Sequence, residues 1–163
     1  MTPCSLGRSF CSLAAVGVVA LSACTTRSVS PNRQLTEVVP VLSVERFLEA
    51  ANARDFDAMQ RLFGTYRGPI RGDRLEIERR MALIADILKH QDYEIMGERM
   101  EAGREHPTTR VTVELTQCGG GASPRTPCPS GGPVIPDLPF LVVRTDDGGW
   151  LIEQVDLERI TAR

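Results

Sequence analysis

The sequence is short of several things, and each shortage excludes a class of protein. Lysine is almost missing: of 19 basic residues Lys89 is the only lysine, a compositional habit with no functional weight. Basic and acidic residues number 19 and 21, a formal net charge of −2, so the basic excess of a general nucleic-acid binder is lacking. No stretch approaches the ~20 apolar residues of a spanning helix, which excludes a polytopic membrane protein. Aromatic residues make up only 5% of the chain. The chain holds no G-x-S-x-G, no phosphate loop, no H-E-x-x-H and no dinucleotide fingerprint. Its two histidines, His90 and His106, share no ligand spacing with any cysteine, so neither a metal nor a cofactor is expected. At 163 residues there is room for one domain of ordinary size.

What the chain does have begins at its N-terminus. Arg8 is the only charge in the first 24 residues, and from Ser12 to Ala23 every residue is apolar or small. A short positive region followed by an apolar run too short to cross a bilayer comfortably is the pattern of a secretory signal. The run ends in Leu21-Ser22-Ala23-Cys24, which resembles the lipobox of bacterial lipoproteins. That resemblance implies cleavage after residue 23 and a diacylglycerol on the Cys24 thiol. Several acyl chains, each contributing ~0.8 kcal/mol per buried CH₂, would hold the protein to a membrane. Thr25 stands where an Asp retains many Gram-negative lipoproteins at the inner membrane. Its presence implies the outer membrane, facing the periplasm, if the host is Gram-negative. Residues 24–39 are polar, with one Pro and no apolar period until their end, and are expected to tether lipid to domain.

The domain proper is expected over residues 40–163. Val44, Phe47, Leu48 and Ala51 recur at helical spacing behind Pro40 or Ser43. Asp55 is a candidate N-cap for a short helix carrying Phe56, Met59, Leu62 and Phe63 on one side. Residues 64–72 hold three Gly and one Pro and predict a loop. Asp73 with Glu76 forms a loose capping box before a helix over about 74–90, with Glu76 and Arg80 in the favourable order for an ion pair. The period then falls to two. Tyr93, Ile95 and Gly97 open a first strand, blurred by Met96 and Met100, and Val111, Val113 and Leu115 mark a cleaner second one. Leu138 to Val143 make a third strand, and Asp146-Asp147-Gly148-Gly149 predict a hairpin turn with glycines at positive φ. Trp150, Ile152, Val155 and Leu157 make a fourth. Three helices followed by four strands argue for an α+β domain with an antiparallel sheet.

Five cysteines is an odd number, and position resolves it. Cys4 and Cys11 leave with the signal and Cys24 takes lipid. Cys118 and Cys128 remain in the Gly/Pro-rich loop 118–136, which has five Gly and five Pro in nineteen residues. In an exported protein a Cys118–Cys128 disulfide is expected, and closing so short a ring contributes roughly 2.5–3 kcal/mol. A free-thiol pair or half a metal site is the competing outcome.

Candidate site residues are few. His90 beside Asp92 could supply a general base, but His90 at a helix C-terminus has an ordinary structural role there. Tyr93 joins them at the helix–strand junction. Trp150 lines either a pocket or the core. Tyr66, with Arg67 and Arg71, could meet an anionic ligand, although solvated loop charges are the commoner outcome.

The run Val44-Glu45-Arg46-Phe47-Leu48-Glu49-Ala50, with Ala53 to Met59 behind it, resembles the opening helices of the nuclear transport factor 2-like superfamily (ketosteroid isomerase, polyketide cyclase and cystatin-like folds). The ending Asp147-Gly148-Gly149-Trp150-Leu151-Ile152 is similar to the strand that closes many such domains. The resemblance implies a cone-like fold, three helices on a curved antiparallel sheet of four or more strands, with a cavity between the layers and a homodimer as a frequent state. The Tyr and two acids of the isomerases find no matching positions, so no catalytic role carries over. The function expected is a lipid-anchored envelope module that binds a small apolar ligand or a partner protein without catalysis. The alternative is a small-molecule isomerase or hydratase using a cavity acid or base.

Overall fold

Two aspartates fix where helices start. Asp55 accepts a hydrogen bond from the Ala58 amide at 2.9 Å and opens α2 (Phe56–Leu62), and Asp73 accepts one from the Glu76 amide at 3.1 Å and opens α3 (Arg74–Leu88). The computed structural model describes residues 31–119 and 128–162. The signal segment and Cys24 lie outside them. The first helix, α1 (Pro31–Ala53), begins nine residues before Pro40, so residues 31–39 of the expected tether are helical. Pro31 suits a first helical position, and Gln34, Leu35 and Glu37 behind it are good helix formers. Pro40 removes one internal hydrogen bond without ending the helix.

α1 closes in a Schellman turn, with the Asp55 amide donating to the Ala50 carbonyl at 2.9 Å. Its left-handed residue is Arg54, at φ +55° in place of glycine. An ion pair to Asp86 on α3 and the Phe56 ring 5.2 Å from the guanidinium hold Arg54 there.

The 64–72 segment is not all loop. Gly64–Thr65 (β1) and Gly68–Pro69 (β2) pair as a small antiparallel hairpin. Gly64 has to be glycine, since a Cβ there would lie 2.3 Å from the Gly68 carbonyl oxygen. Phe63, expected on the helix, is extended and bridges Ile152 in parallel, because the chain must turn toward the sheet directly after Leu62. The Glu76–Arg80 pair does not form; Arg80 lines a groove described below.

The main sheet is antiparallel, in the order β3 (His90–Met100), β4 (Thr108–Gln117), β5 (Val134–Arg144), β6 (Trp150–Val155). β5 takes in the last three residues of the expected loop. Pro136 and Asp137 form a bulge opposite Glu114, with Asp137 at φ +54°. Pro139 is tolerated because its carbonyl accepts from the Asp156 amide, so its nitrogen faces that side, past the end of β6, and costs β4 no hydrogen bond. The last strand stops at Val155. Leu157, expected on it, precedes a short helix, α4 (Glu158–Thr161), whose Arg159 donates to the Asp137 carbonyl at 2.8 Å. In the β5–β6 turn only Gly148 takes positive φ, at +89°. The turn is also held by Asp147, whose carboxylate accepts from the Thr145 hydroxyl and then the Gly149 amide, and these bonds lower its pKa.

The core lies between helices and sheet. Val44, Phe47, Leu48, Ala51, Met59 and Met81 from the helices meet Val111, Val113, Leu115, Leu138 and Phe140 from the sheet, all essentially inaccessible. These buried side chains lie between the two layers, where the family resemblance implies a cavity. At the β4–β5 end Cys118 and Cys128 are disulfide-bonded, with Cα atoms 5.0 Å apart. Gly132 crosses close to this point, where a Cβ would lie 2.0 Å from the Gln117 carbonyl oxygen.

Candidate functional site

His90 follows the C-terminus of α3 and is buried there. Its Nδ1 lies 2.8 Å from the Leu88 carbonyl, which requires a proton on Nδ1. Nε2 therefore accepts, and Asn52 Nδ2 lies 3.1 Å from it. The same amide brackets the backbone of residue 90: Asn52 Oδ1 accepts from the His90 amide at 3.1 Å and Nδ2 donates to its carbonyl at 3.0 Å. Burial pushes the His90 pKa below its ordinary 6.5, against opposing effects of the Leu88 bond and the Asp92 charge. Both ring nitrogens are engaged, Nδ1 with the end of α3 and Nε2 with α1, at the start of β3. Asp92 is exposed and accepts from the Tyr93 amide at 2.9 Å. Tyr93 meets the His90 ring edge-on at 5.5 Å. Its pKa is raised, first by burial and then by Glu45, Glu49 and Asp92. The structure brings these residues together as a joint between helices and sheet.

Tyr66 sits elsewhere, at the tip of the small hairpin. Its ring stacks on His106 at 3.6 Å, and Arg67 Nε donates to its hydroxyl at 2.8 Å. The stack ties the hairpin to the β3–β4 connection. His106 Nε2 is buried with no hydrogen-bond partner among the described residues.

Trp150 lines a cavity. The lower ends of all four strands meet at one rim, where Met100, Thr109, Arg144 and Trp150 face Pro40 of α1 and Pro107. They enclose about 430 Å³, within the range of small-molecule sites. Met100 is 69% exposed although it is a large apolar side chain. Trp150 is half-buried against the core edge, and its carbonyl accepts from the Ser43 hydroxyl at 3.1 Å, which fixes β6 under α1. Glu98, Arg99 and Arg144 supply charge around this groove. Asn52, Met100 and Pro107 escape sequence reasoning. The only trace of them is that Met96 and Met100 break the alternation of β3. Among the described residues no group of three or more His, Cys, Asp or Glu could hold a metal ion, and no helix is long and apolar enough to cross a membrane.

The fold and site together define a small α+β domain with a buried apolar core and grooves on its surface. No family model matches the chain, and no curated protein matches it. Its structure is similar to the crystal structure of an NTF-2 like protein of unknown function from Shewanella oneidensis MR-1, at 16% identity. The match covers 71% of this chain and 92% of that one, with a TM-score of 0.40.

Proposed function

We propose that this chain is a lipid-anchored envelope protein whose domain, of the nuclear transport factor 2-like kind, binds without catalysing. The groove beside Trp150 takes a small apolar ligand or an apolar side chain of a partner protein. The observation that supports this best is the exposed Met100 facing Trp150 and two prolines in a space of about 430 Å³. An isomerase or hydratase would need His90 or Asp92 free to move a proton, whereas His90 is bonded through both nitrogens and Asp92 faces solvent. Leu21-Ser22-Ala23-Cys24 supports the anchor, and with it an outer-membrane position and contact with other envelope proteins.

Two measurements test the proposal. A neutral apolar dye such as N-phenyl-1-naphthylamine should quench Trp150, the only tryptophan, and Met100→Glu should abolish that quenching with little loss of stability. Unchanged dye binding in Met100→Glu overturns the groove. Cys24→Ala should move the protein out of the membrane fraction and end acyl labelling; unchanged fractionation overturns the anchor.

A further inference from the structure

A second groove, independent of the one at Trp150, lies between the small hairpin, α3 and β6 and encloses about 450 Å³. Its lining carries Arg67, Arg71 and Arg80 and a single acid, Glu153. That balance runs against the chain as a whole, whose net charge is −2. The acid does not offset the arginines, because Glu153 is already paired with a fourth one, Arg104, at 3.1 Å. The side chains of Arg71 and Arg80 have no ion-pair or hydrogen-bond partner among the described residues.

Arg67 is held in advance. Its Nε donates to the Tyr66 hydroxyl, its guanidinium lies 5.2 Å from the Tyr66 ring centre, and Tyr66 is stacked on His106. This leaves the terminal guanidinium nitrogens without a partner among the described residues. A planar guanidinium with free parallel N–H groups fits the paired oxygens of a carboxylate or phosphate. Phe63, Pro69 and Ile70 supply apolar surface in the same groove.

We propose that this groove binds a small organic oxyanion, a phosphate ester carried on an apolar body, through Arg67, Arg71 and Arg80. The phosphate belongs either to a free monoester or to a lipid headgroup. Calorimetric titration of the full chain separates the two sources, with phenyl phosphate in one arm and short-chain dihexanoylphosphatidylglycerol, below its micellar concentration, in the other. Inorganic phosphate, which lacks an apolar body, reports on the arginines alone and should bind more weakly than phenyl phosphate.

The double variant Arg71→Ala/Arg80→Ala should weaken binding of the preferred probe by about tenfold or more, as loss of charge-assisted hydrogen bonds requires. Arg46→Ala/Arg61→Ala removes the same charge from exposed positions outside the groove and should change it less than about twofold. Binding of phenyl phosphate alone assigns the site to a free ester, and binding of the lipid alone assigns it to a headgroup. No binding of either probe, or equal weakening by the two double variants, overturns the site. Equal affinity for phenyl and inorganic phosphate overturns the apolar part of the ligand.

Discussion

Between the helices and the sheet, Phe47, Met59, Met81, Leu115 and Phe140 are inaccessible, whereas at the lower rim Met100 is 69% exposed and Trp150 half-buried. The residue types are alike in the two regions. What differs is the number of elements overhead. Over the interior, α1, α2 and α3 each lay an apolar stripe on the strands, and together they close it. At the rim, Pro40 is the α1 residue among the described side chains that faces the groove. Apolar composition alone therefore does not decide between core and binding surface here. The packing of the second layer decides: Met59 and Met81 are buried under it, and Met100 at the rim is exposed.

Emptying the interior breaks this contrast most severely. Phe140→Ala should cost about 3–5 kcal/mol in denaturant unfolding, the range for a large side chain lost from a close-packed core. A cost below ~1 kcal/mol would show that the interior yields as a ligand cavity does, and the distinction between interior and rim would fall. The disulfide offers a sharper separation because it lies at the opposite end of β4 and β5 from the rim. Cys118→Ser/Cys128→Ser should lower stability by about 3 kcal/mol through the freed chain entropy and leave dye quenching of Trp150 unchanged. Loss of quenching at temperatures where the variant is folded would couple the two ends.

The smallest effect concerns the joint at His90. Its pKa is depressed in the folded state, so above the ordinary 6.5 the ring is neutral whether the chain is folded or not. As pH falls below that value the unfolded chain takes the proton first, and stability declines toward the lower folded pKa. Thermal unfolding of His90→Gln should therefore show a flatter profile below pH 6.5 than the parent, and parallel profiles would contradict the assignment of His90 as a buried neutral group.

Much of the fold was legible because local rules and tertiary packing agreed. Asp55 and Asp73 cap the helices their spacing announced, and Val111, Val113 and Leu115 alternate as a strand with one buried face. Legibility failed where distant segments set the outcome. Leu157 continues the apolar alternation of β6, but β5 offers it no partner, since Phe140 pairs with Val155 and Pro139 meets Asp156 instead. Phe63 fits a helical face and is drawn off it by Ile152, 89 residues away. The site was less legible still. Asn52 has no local signature, and its bonds to His90 exist only because the ends of α1 and α3 meet. Tyr66, Tyr93 and Trp150 look equivalent as aromatic residues in sequence, and the fold sends them to a stacked tie, a joint and a groove wall.

The prolines of β5 have a consequence for how such a sheet meets other chains. A β-sheet grows by offering unpaired amides at its edge, and the first half of β5 extends beyond β6 as such an edge. Pro136 and Pro139 delete amides there, and left-handed Asp137 bends the strand between them. The free side of β6 is shielded in turn by Phe63 at its bridge to Ile152. Among the described residues, β3 is left as the long edge still able to template another strand. Any assembly by strand addition has one side of the molecule on which to start, and the opposite side is guarded against runaway stacking.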